Sequence, residues 1–473
     1  MNARTLVAAI ALLGVGGCVT IPREAGFGDV QQLLAERGVG RVHWNQGTAA
    51  DADVERHVAD LLSRPLDVNY AVQVALLNNL ALQATYEDLS VAQADLVGAG
   101  LLGNPIFDGE LKLADGEGPV IELAVVTDFL DIFFIPARKR LAGQAFELAK
   151  LRVAGEVMSL AHRTRQAFYT AQASAQALDL HRTVLQAAEA SRDFAKRLHD
   201  AGNINDLAYA SERATYEQAK LNLADAELQA TEDREALTAL MGLPAPTAQL
   251  QPRLPELPAN ELSLDDLEQK ALERNLTVAL ARRQIESNAR ALGITRSMGL
   301  FANAEIEAGV AAEREGDGAW AVGPAVSLPI PLFNQGQPAV ATAAAEFRRA
   351  RHAYGAMTVD IRSAVRAATA RVQAARVRAE QYRNVLLPLR SQITQQTQLH
   401  YNGMYVGAFD LLRAKQDEVT AGAQYVQALR DYWLARSALE ALVDGWFEGA
   451  STSAARSLTG TSTNPSSSEA THD

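Results

Sequence analysis

Several residue types on which enzymes and small secreted domains depend are scarce in this sequence. A single cysteine among 473 residues excludes a disulfide framework and a thiolate metal centre within one chain. The eight histidines are scattered, without HExxH or another metal-ligand spacing, and neither a Gly-rich phosphate loop nor a GxSxG motif occurs. A formal charge of -12 without a basic stripe argues against a nucleic-acid partner. We therefore expect no enzyme activity, no cofactor and no bound metal.

Aromatic residues are also few, at 6% of the chain, although hydrophobic residues make up 48%. Alanine supplies much of this apolar share, and it is both the best helix former and small enough for close packing. The composition therefore predicts long, closely packed helices rather than a bulky core with large pockets.

The lone cysteine follows a short apolar run at the N-terminus. Arg4 precedes the run from Leu6 to Val15, and two glycines then lead into Cys18. The run is about half of the roughly 20 residues that cross a bilayer as a helix. This pattern is typical of a bacterial lipoprotein signal peptide over residues 1–17, with Cys18 as the lipidation site. An ordinary secretory signal with an incidental cysteine is the alternative.

Four short blocks recur in the same order about 200 residues apart, which indicates a tandem duplication. One pair is Leu198-His-Asp-Ala-Gly202 and Leu399-His-Tyr-Asn-Gly403. Prolines between the copies rule out a helix that crosses from one to the other. The predicted domains are a signal peptide (1–17), an N-terminal periplasmic or linker segment (18–66), a first repeat (67–243), a Pro-rich connection (244–262), a second repeat (263–445) and a disordered tail (446–473).

Each repeat predicts a helix and then a β-hairpin. The helices are expected at Asn69–Leu101 and Leu264–Met298, with Asp67 and Ser263 as N-caps. The hydrophobic period then changes to two, which is typical of strands. The predicted strands are Phe107–Leu113 and Val120–Phe129 in the first repeat, and Asn303–Val310 and Trp320–Val326 around a Glu313–Gly318 loop in the second.

After each hairpin the pattern predicts a long coiled-coil helix, a turn and a second long helix. Apolar residues alternate at spacings of three and four, from Val157 to Leu178 and from Ile361 through Leu386 to Leu389. The long helices are expected at Phe146–Ala201, Asp206–Met241 and Phe409–Val443, and Pro388 predicts a kink in the second repeat only.

Four strands per chain cannot close a membrane barrel, so the strand count predicts an oligomer. Two chains would give eight strands with a filled interior, whereas three would give twelve and a lumen. The alternative is a non-channel periplasmic coiled-coil lipoprotein that acts as a scaffold, with the hairpins as soluble caps.

Alternation along the strands predicts which residues face the lumen. If Ala304, Ile306 and Val310 face lipid, then Glu305 and Glu307 face inward. Glu110 and Glu122 are expected to join them from the first repeat, so the lumen would be acidic and favour cations. The alternative is that these glutamates are simply solvated on a water-exposed face of the sheet.

Two segments are more specific than any periodicity. They are Pro329-Ile-Pro-Leu-Phe-Asn-Gln-Gly336 after the last strand and Tyr401-Asn-Gly-Met-Tyr-Val-Gly-Ala-Phe-Asp-Leu-Leu-Arg-Ala414 at the second turn. With the duplicated element order, they resemble the TolC family of outer-membrane efflux proteins over residues 60–445. The first segment is similar to those of the heavy-metal, CzcC-like branch.

The resemblance implies a mainly α fold with a small β part, in a lipid-anchored homotrimer of the outer membrane. Its three chains would share a twelve-stranded barrel that continues as an α-helical barrel across the periplasm. The family is not enzymatic. It implies a passive exit duct for small molecules or metal cations, docked onto a periplasmic adaptor and an inner-membrane pump, commonly of the resistance-nodulation-division type.

The resemblance also suggests roles for the two turns. In this family the turns meet the adaptor, which indicates Gly202, Asn203, Ile204, Asn205, Gly403, Met404, Tyr405, Val406 and Gly407. Glycine suits a tight reversal, which would explain Gly202 and Gly403 on structural grounds alone. Asp410 lies where an acidic residue can narrow the entrance, but Arg413 stands where a second aspartate would complete a double ring. An ordinary aspartate at a helix start is the alternative for Asp410.

Overall fold

The described residues are mainly helical and include one antiparallel sheet of four strands. The computed structural model describes residues 21–22, 24–112, 120–128, 130–259, 266–298, 307–314, 320–327 and 335–447. None of the helices in these ranges has both the length and the apolar character needed to cross a membrane. One compact unit holds the sheet and is built from the chain up to Asp29, Tyr86–Lys150 and Arg283–Arg349, and a second contains the remaining described residues.

The elements follow the predicted order twice. The first repeat contains α3 (Val68–Asn78), α4 (Leu80–Gly98), β1 (Ile106–Lys112), β2 (Val120–Asp128), α5 (Leu130–Asp200) and α6 (Asp206–Leu240), after α1 (Phe27–Ala35) and α2 (Ala49–Leu62). The second contains α7 (Leu267–Arg274), α8 (Leu276–Met298), β3 (Glu307–Arg314), β4 (Trp320–Ser327), α9 (Gln337–Gln381), a π-helical segment (Tyr382–Leu386), α10 (Leu387–Asn402) and α11 (Ala408–Asp444).

The first predicted helix of each repeat is in fact two helices. Asn79 has extended backbone (φ -72, ψ 115) between α3 and α4, and its side chain accepts the Leu82 N–H at 2.9 Å. Asn275 has the same conformation between α7 and α8 and accepts the Val278 N–H at 3.0 Å. Each asparagine thus caps the helix that follows it, which makes the break stable.

The predicted N-cap at Asp67 is confirmed, because its carboxylate accepts the Tyr70 N–H at 2.8 Å. Ser263, the N-cap predicted for the second repeat, lies outside the described residues. Asp266 precedes α7 instead, with a left-handed backbone (φ 61).

Each repeat ends at a glycine that lies against the break between the first two helices of that repeat. Gly242 follows α6 with φ +68, and a Cβ there would lie 2.6 Å from the Asn78 carbonyl oxygen. Gly445 follows α11 with φ +106, and a Cβ would overlap the Arg274 carbonyl. Both positions need glycine because of the left-handed φ and because of the close backbone.

The long helices bury the predicted coiled-coil seams. Helix α5 has 71 residues, which at 1.5 Å per residue is about 105 Å. Val157 and Phe168 of its seam are buried, as are Ile361, Val365 and Val372 of α9. Leu386 and Leu389, predicted to continue the second seam, are instead 37% and 48% exposed.

Pro388 explains why the second seam changes direction. The regular helix before Pro388 is interrupted by the π-helical segment Tyr382–Leu386. In this segment the Leu387 N–H donates to the Tyr382 carbonyl five residues back. Proline cannot donate a backbone hydrogen bond, and a π segment absorbs one additional residue. The extra residue rotates the following helix by roughly 100°, because an α-helix has 3.6 residues per turn. Leu386 and Leu389 therefore leave the seam.

The described part of the Pro-rich connection, residues 244–259, is bound to the long helices. The Gln172 amide donates to the carbonyls of Gln251 (2.8 Å) and Arg253 (2.7 Å), and the Trp433 indole donates to the Pro255 carbonyl at 2.7 Å. Leu254 and Leu257 are buried beside these bonds. The connection is therefore a fixed strap.

The segment predicted as an N-terminal linker contains helices α1 and α2. Asp29 of α1 accepts from Lys150 Nζ at 2.6 Å. Phe27 contacts Tyr86 edge to face, with ring centroids 5.0 Å apart. These contacts tie the start of the described chain to the fold.

The predicted tail begins too early at residue 446. The Trp446 ring lies 4.7 Å from the His162 ring, and the backbone N–H of Trp446 donates to the Ala441 carbonyl at 2.8 Å. Burial, with a smaller contribution from Arg165, lowers the pKa of His162 to about 4. Residues 448–473 lie outside the described ranges.

Candidate functional site

The sheet has the strand order β1-β2-β3-β4, with every neighbouring pair antiparallel. The two strands of the first hairpin match their prediction within a residue. In the second hairpin, β3 extends to Arg314, so Glu313 and Arg314 belong to the strand and not to the predicted loop. Their pairing partners Ala321 and Trp320 in β4 explain the extension.

The strand register places acidic residues opposite one another. Glu110 of β1 pairs with Glu122 of β2, and Glu122 pairs with Glu313 of β3. Side chains alternate along a strand, so residues two apart share a face. The acidic face defined in this way carries all the carboxylate positions of the four described strands, which are Asp108, Glu110, Glu122, Asp128, Glu307 and Glu313.

The opposite face is apolar. It includes Phe107, Leu111 and Val125, which are 68%, 60% and 48% exposed. Val310 is also 54% exposed, and the register puts Trp320, Val322 and Val326 on the same face. Arg314 at the end of β3 is its charged exception. A sheet with one apolar face, and with its carboxylates on the other beside Ile106 and Lys112, can separate lipid from water.

The structure brings together three of the four predicted lumen residues. Glu110, Glu122 and Glu307 have register positions on the acidic face, whereas Glu305, Ala304 and Ile306 lie outside the described residues. The sequence prediction missed Glu313 because charged residues next to glycines indicated a loop. The even separation of six residues between Glu307 and Glu313, which puts both on one face of a strand, was the signal that could have found it.

The first turn has glycine at the left-handed position. Gly202 has φ +74, and its N–H donates to the His199 carbonyl at 2.8 Å. The Asn205 side chain accepts the Ala208 N–H at 2.9 Å and so caps α6. His199 Nε2 lies 2.7 Å from Asp206 Oδ1 across the turn. These contacts tie the ends of the two helices to each other.

A hydrogen bond near the first turn also shifts the pKa of a carboxyl group. Lys196 donates to Asp200 at 2.8 Å. This bond is the main reason that the pKa of Asp200 is lowered and that of Lys196 is raised.

The second turn departs from the prediction for Gly403. Gly403 has φ -82, whereas Met404 takes the left-handed position with φ +63. The hydrogen bonds explain this, because the Met404 N–H donates to Tyr401 O and the Tyr405 N–H to His400 O, both at 2.9 Å. In the first turn the equivalent bonds, from the Gly202 N–H to His199 O and from the Asn203 N–H to Leu198 O, place Gly202 at the left-handed position.

The apolar residues of the second turn differ in exposure. Met404 is 93% exposed and Tyr405 is 81% exposed, whereas Val406 is half-buried. In the first turn Asn203 is exposed and Ile204 is half-buried. The protruding apolar surface therefore consists of Met404 and Tyr405.

Asp410 lies in the first turn of α11 and is exposed. Its Oδ2 accepts the Gly407 N–H at 3.0 Å. Within the described chain Asp410 forms no ion pair with Arg413. Asp410 therefore caps a helix start, while its charge stays accessible to solvent. Cys18, the predicted lipidation site, lies outside the described residues.

Comparisons with known proteins agree with this geometry. The family model described as "Outer membrane efflux protein" matches residues 127–243. The cobalt-zinc-cadmium resistance protein CzcC of Cupriavidus metallidurans is 23% identical over 384 residues, which cover 80% of this chain and 90% of that protein.

Solved structures share the fold. The CmeC outer membrane channel of Campylobacter jejuni has a TM-score of 0.65 at 15% identity, covering 89% of this chain and 94% of that chain. The open state of the MtrE outer membrane channel of Neisseria gonorrhoeae has a TM-score of 0.62 at 18% identity, covering 80% and 89%. With its duplicated helices and two-sided sheet, the chain is thus similar in sequence and in fold to outer membrane efflux proteins.

Proposed function

We propose that the chain is the outer-membrane exit duct of a tripartite efflux system. The observation that carries this function is the two-sided sheet, apolar on one face and acidic on the other. A soluble hairpin cap would not need exposed Phe107, Leu111 and Val310 on a single face.

Channels of this family form trimers and act with an adaptor and an inner-membrane pump. Because the described part of each chain contains four strands, three copies supply the twelve strands of a barrel with a lumen. We propose this homotrimer, embedded in outer-membrane lipid.

Placing the acidic face toward the lumen predicts cation preference. Reversal potentials across a planar bilayer under a KCl gradient test this. Glu110→Gln combined with Glu122→Gln and Glu307→Gln should reduce the preference, whereas Glu55→Gln on α2 should not. Anion preference in the unmodified channel would contradict the acidic lumen, and an absence of conductance would favour the scaffold alternative.

Divalent metal cations are the proposed cargo. The observation behind this is the similarity to a cobalt-zinc-cadmium resistance protein. Deleting the gene in its native host should lower tolerance to Co²⁺, Zn²⁺ and Cd²⁺ more than tolerance to organic drugs. The reverse order would assign the duct to drug export.

The two turns, Gly202–Asn205 and Gly403–Gly407, are the proposed docking sites for the periplasmic adaptor. Exposed Met404 and Tyr405 support this, because an apolar patch on a turn favours a protein partner. Replacing Met404, Tyr405 and Val406 with serine should abolish efflux while the trimer stays intact. Leu80→Ser, at another exposed apolar residue, is the control. Unchanged efflux in the triple variant would contradict docking there.

Asp410 is the proposed aperture residue, since three copies would place three carboxylates near one axis. Asp410→Asn keeps an oxygen that can cap Gly407 but removes the charge, so it separates the two roles. It should weaken divalent-cation block in single-channel recordings, whereas Asp206→Asn at the start of α6 should not. An unaltered channel would leave Asp410 as a helix cap.

Cys18 is the proposed site of acylation. The motif Val15-Gly-Gly-Cys18 supports cleavage before Cys18, and buried acyl chains would add membrane affinity. Intact-mass measurement should show a mature chain that begins at a lipidated cysteine. A different mature N-terminus would end this assignment.

A further inference from the structure

Three consecutive cations lie in the part of α5 that follows the sheet. Arg138, Lys139 and Arg140 come about three turns into this helix, which begins at Leu130, two residues after β2 ends. The helix before them contains a single acid, Asp131. Lys139 and Arg140 are exposed, and neither forms an ion pair with a residue that the structure describes. The segment therefore presents positive charge to its surroundings.

The aliphatic part of Lys139 lies against the loop that leads into β1. A Cβ at Gly100 in this loop would come 3.8 Å from Lys139 Cδ. Leu101 and Leu102 follow Gly100 and are 46% and 58% exposed. Exposed apolar side chains beside a lysine with a packed stem and an exposed ammonium group suit the boundary between lipid and water.

Charges on the neighbouring helices do not cancel these cations. Leu96 of α4 lies 3.8 Å from where a Cβ on Gly143 of α5 would be, so Asp95, which is exposed, is close to the same level. Arg296 lies near the end of α8, the other helix that leads into the sheet, and is also exposed. Asp95 and Asp131 thus stand against four cations.

The face of α5 that carries Lys139 also receives the N-terminal segment. Phe146 follows Lys139 at a spacing of seven residues, and Lys150 follows at a further four, so all three share one side of the helix. A Cβ at Gly26 would lie 2.8 Å from the Phe146 ring. Lys150 donates to Asp29 of α1 at 2.6 Å. The N-terminal segment therefore packs on the side of α5 to which Lys139 belongs.

Chain length indicates that this side of α5 faces outward in the proposed duct. Cys18, the proposed acylation site, precedes Gly26 by eight residues, which can span at most about 28 Å. Lys139 lies roughly 10 Å from Phe146 along α5, so the acylated end can reach its level. An acyl chain enters the surrounding lipid and not the lumen. The helix face beneath the tethered segment therefore faces lipid and periplasm.

The second repeat lacks this cationic segment. At the 201-residue offset between Phe146 and Phe347, Arg138–Arg140 correspond to Ala339–Ala341, with valine at the middle position. The long helix forms in both repeats, so it does not need the cations. Each copy of the chain has one such segment, and a trimer would have three.

We propose that Lys139 and Arg140 bind the phosphate headgroup of an anionic phospholipid in the periplasmic leaflet of the outer membrane. Both side chains donate charge-assisted hydrogen bonds to phosphate oxygens, and cations at a membrane surface favour anionic over zwitterionic lipid. Leu101 and Leu102 contact the first part of the acyl chains. The inference rests on the proposed outer-membrane duct and specifies the lipid that surrounds it.

Native mass spectrometry of the purified trimer tests this lipid preference. In micelles with equal amounts of phosphatidylglycerol and phosphatidylcholine, the wild-type trimer should retain up to three phosphatidylglycerol molecules in preference to phosphatidylcholine. Each cation near a membrane surface adds about fivefold to the affinity for anionic lipid. Lys139→Gln with Arg140→Gln should therefore lower the ratio of the two retained lipids by about twentyfold.

Two further variants separate the charge from other effects. Lys139→Arg with Arg140→Lys keeps both charges and should keep the ratio. Arg371→Gln with Arg378→Gln removes two exposed arginines of α9 in the other compact unit and should also keep it. Equal retention of the two lipids by the wild type, or an unchanged ratio after Lys139→Gln with Arg140→Gln, would overturn the proposal. An equal loss in the Arg371 and Arg378 variant would do the same, because it would assign the preference to overall charge.

Two other measurements distinguish this inference from its neighbours. An excess of inorganic phosphate should not displace phosphatidylglycerol, because the acyl chains add affinity. Displacement would assign the cations to free phosphate and overturn the lipid site. Conductance across a planar bilayer tests the proposed function itself. A chain without conductance would contradict the duct, whereas a conducting trimer that retains both lipids equally would contradict only the lipid site.

Discussion

In the first repeat, Gly242 follows α6 and lies against the break at Asn79, and in the second, Gly445 follows α11 and lies against the break at Asn275. The turns at the other ends of the long helices do not match in this way. Gly202 takes the left-handed position in one turn and Met404 takes it in the other.

The difference shows what constrains a duplicated chain. At the junctions, backbone atoms meet backbone atoms, so only glycine fits in either repeat. At the turns, the left-handed residue faces solvent, so the two copies can carry different side chains. The second copy also has Pro388 where the first has Ala187, and only the second has a described π-helical segment.

The junction glycines should give the largest effect. Gly242→Ala combines a left-handed φ with a close carbonyl and should lower the free energy of unfolding by about 3 kcal/mol or more. Gly155→Ala in α5, where a Cβ meets nothing within 4 Å, should instead raise it by roughly 0.5 to 1 kcal/mol. Denaturant unfolding compares them. Equal midpoints for the two variants would contradict the junction argument.

Exchanging the proline between repeats tests the next difference. Ala187→Pro places proline inside α5 and should cost about 3 kcal/mol, because one helix hydrogen bond is lost. Pro388→Ala should cost far less and should let Tyr382–Leu386 return to regular helix. Thermal unfolding and amide hydrogen exchange measure the two effects. If both changes cost the same, the π-helical segment does not depend on proline.

The third test uses the buried histidine of the first repeat, whose counterpart Ser363 is exposed. The folded pKa of His162 is about 4, so between about pH 6.5 and 4 the unfolded chain binds a proton that the folded chain excludes. Stability should fall as pH falls through this window, by about 3 kcal/mol in total.

Thermal unfolding at pH 7 and pH 4.5 measures this loss. His162→Leu should flatten the pH dependence, whereas His57→Gln, at an exposed histidine, should leave it unchanged. Parallel curves for wild type and His162→Leu would assign the pH dependence to other groups.

The turns should give the smallest effect. Met404→Gly should stabilise the second turn by about 1 kcal/mol, because an L side chain at a left-handed φ is strained. Gly202→Ala should destabilise the first turn by a similar amount. Gly403→Ala has no backbone strain because the φ of Gly403 is negative, but its Cβ would lie 2.8 Å from the exposed Tyr405 ring, so the ring must move. Hydrogen exchange of the Tyr405 and Asn203 amides detects these local changes. A stabilising Gly202→Ala would contradict the assigned geometry.

Periodicity predicted the long helices, because a coiled-coil seam repeats over many turns. It placed the start of the first one at Phe146, however, whereas α5 begins at Leu130. It could not predict the breaks at Asn79 and Asn275. Asparagine caps the next helix without disturbing the apolar pattern around it, so the pattern alone continues through the break.

The turn geometry was also beyond a sequence prediction. Gly403 is adjacent to Met404, and the residue that becomes left-handed depends on where the last helical hydrogen bonds close. On the sheet, the alternation predicted a shared face for Glu110, Glu122 and Glu307. The alignment of Glu110, Glu122 and Glu313 in one row depended on strand register, which only the folded pairing fixes.

The strap between the repeats changes what an insertion would cost. A free tether tolerates added residues, since each doubling of its length costs only about 0.6 kcal/mol of closure entropy. This connection is held at Gln172 and Trp433 and buries Leu254 and Leu257. Added residues between 250 and 258 would therefore displace buried leucines and hydrogen bonds. The length of this segment is set by packing, so it is a poor place to graft a tag or a foreign domain.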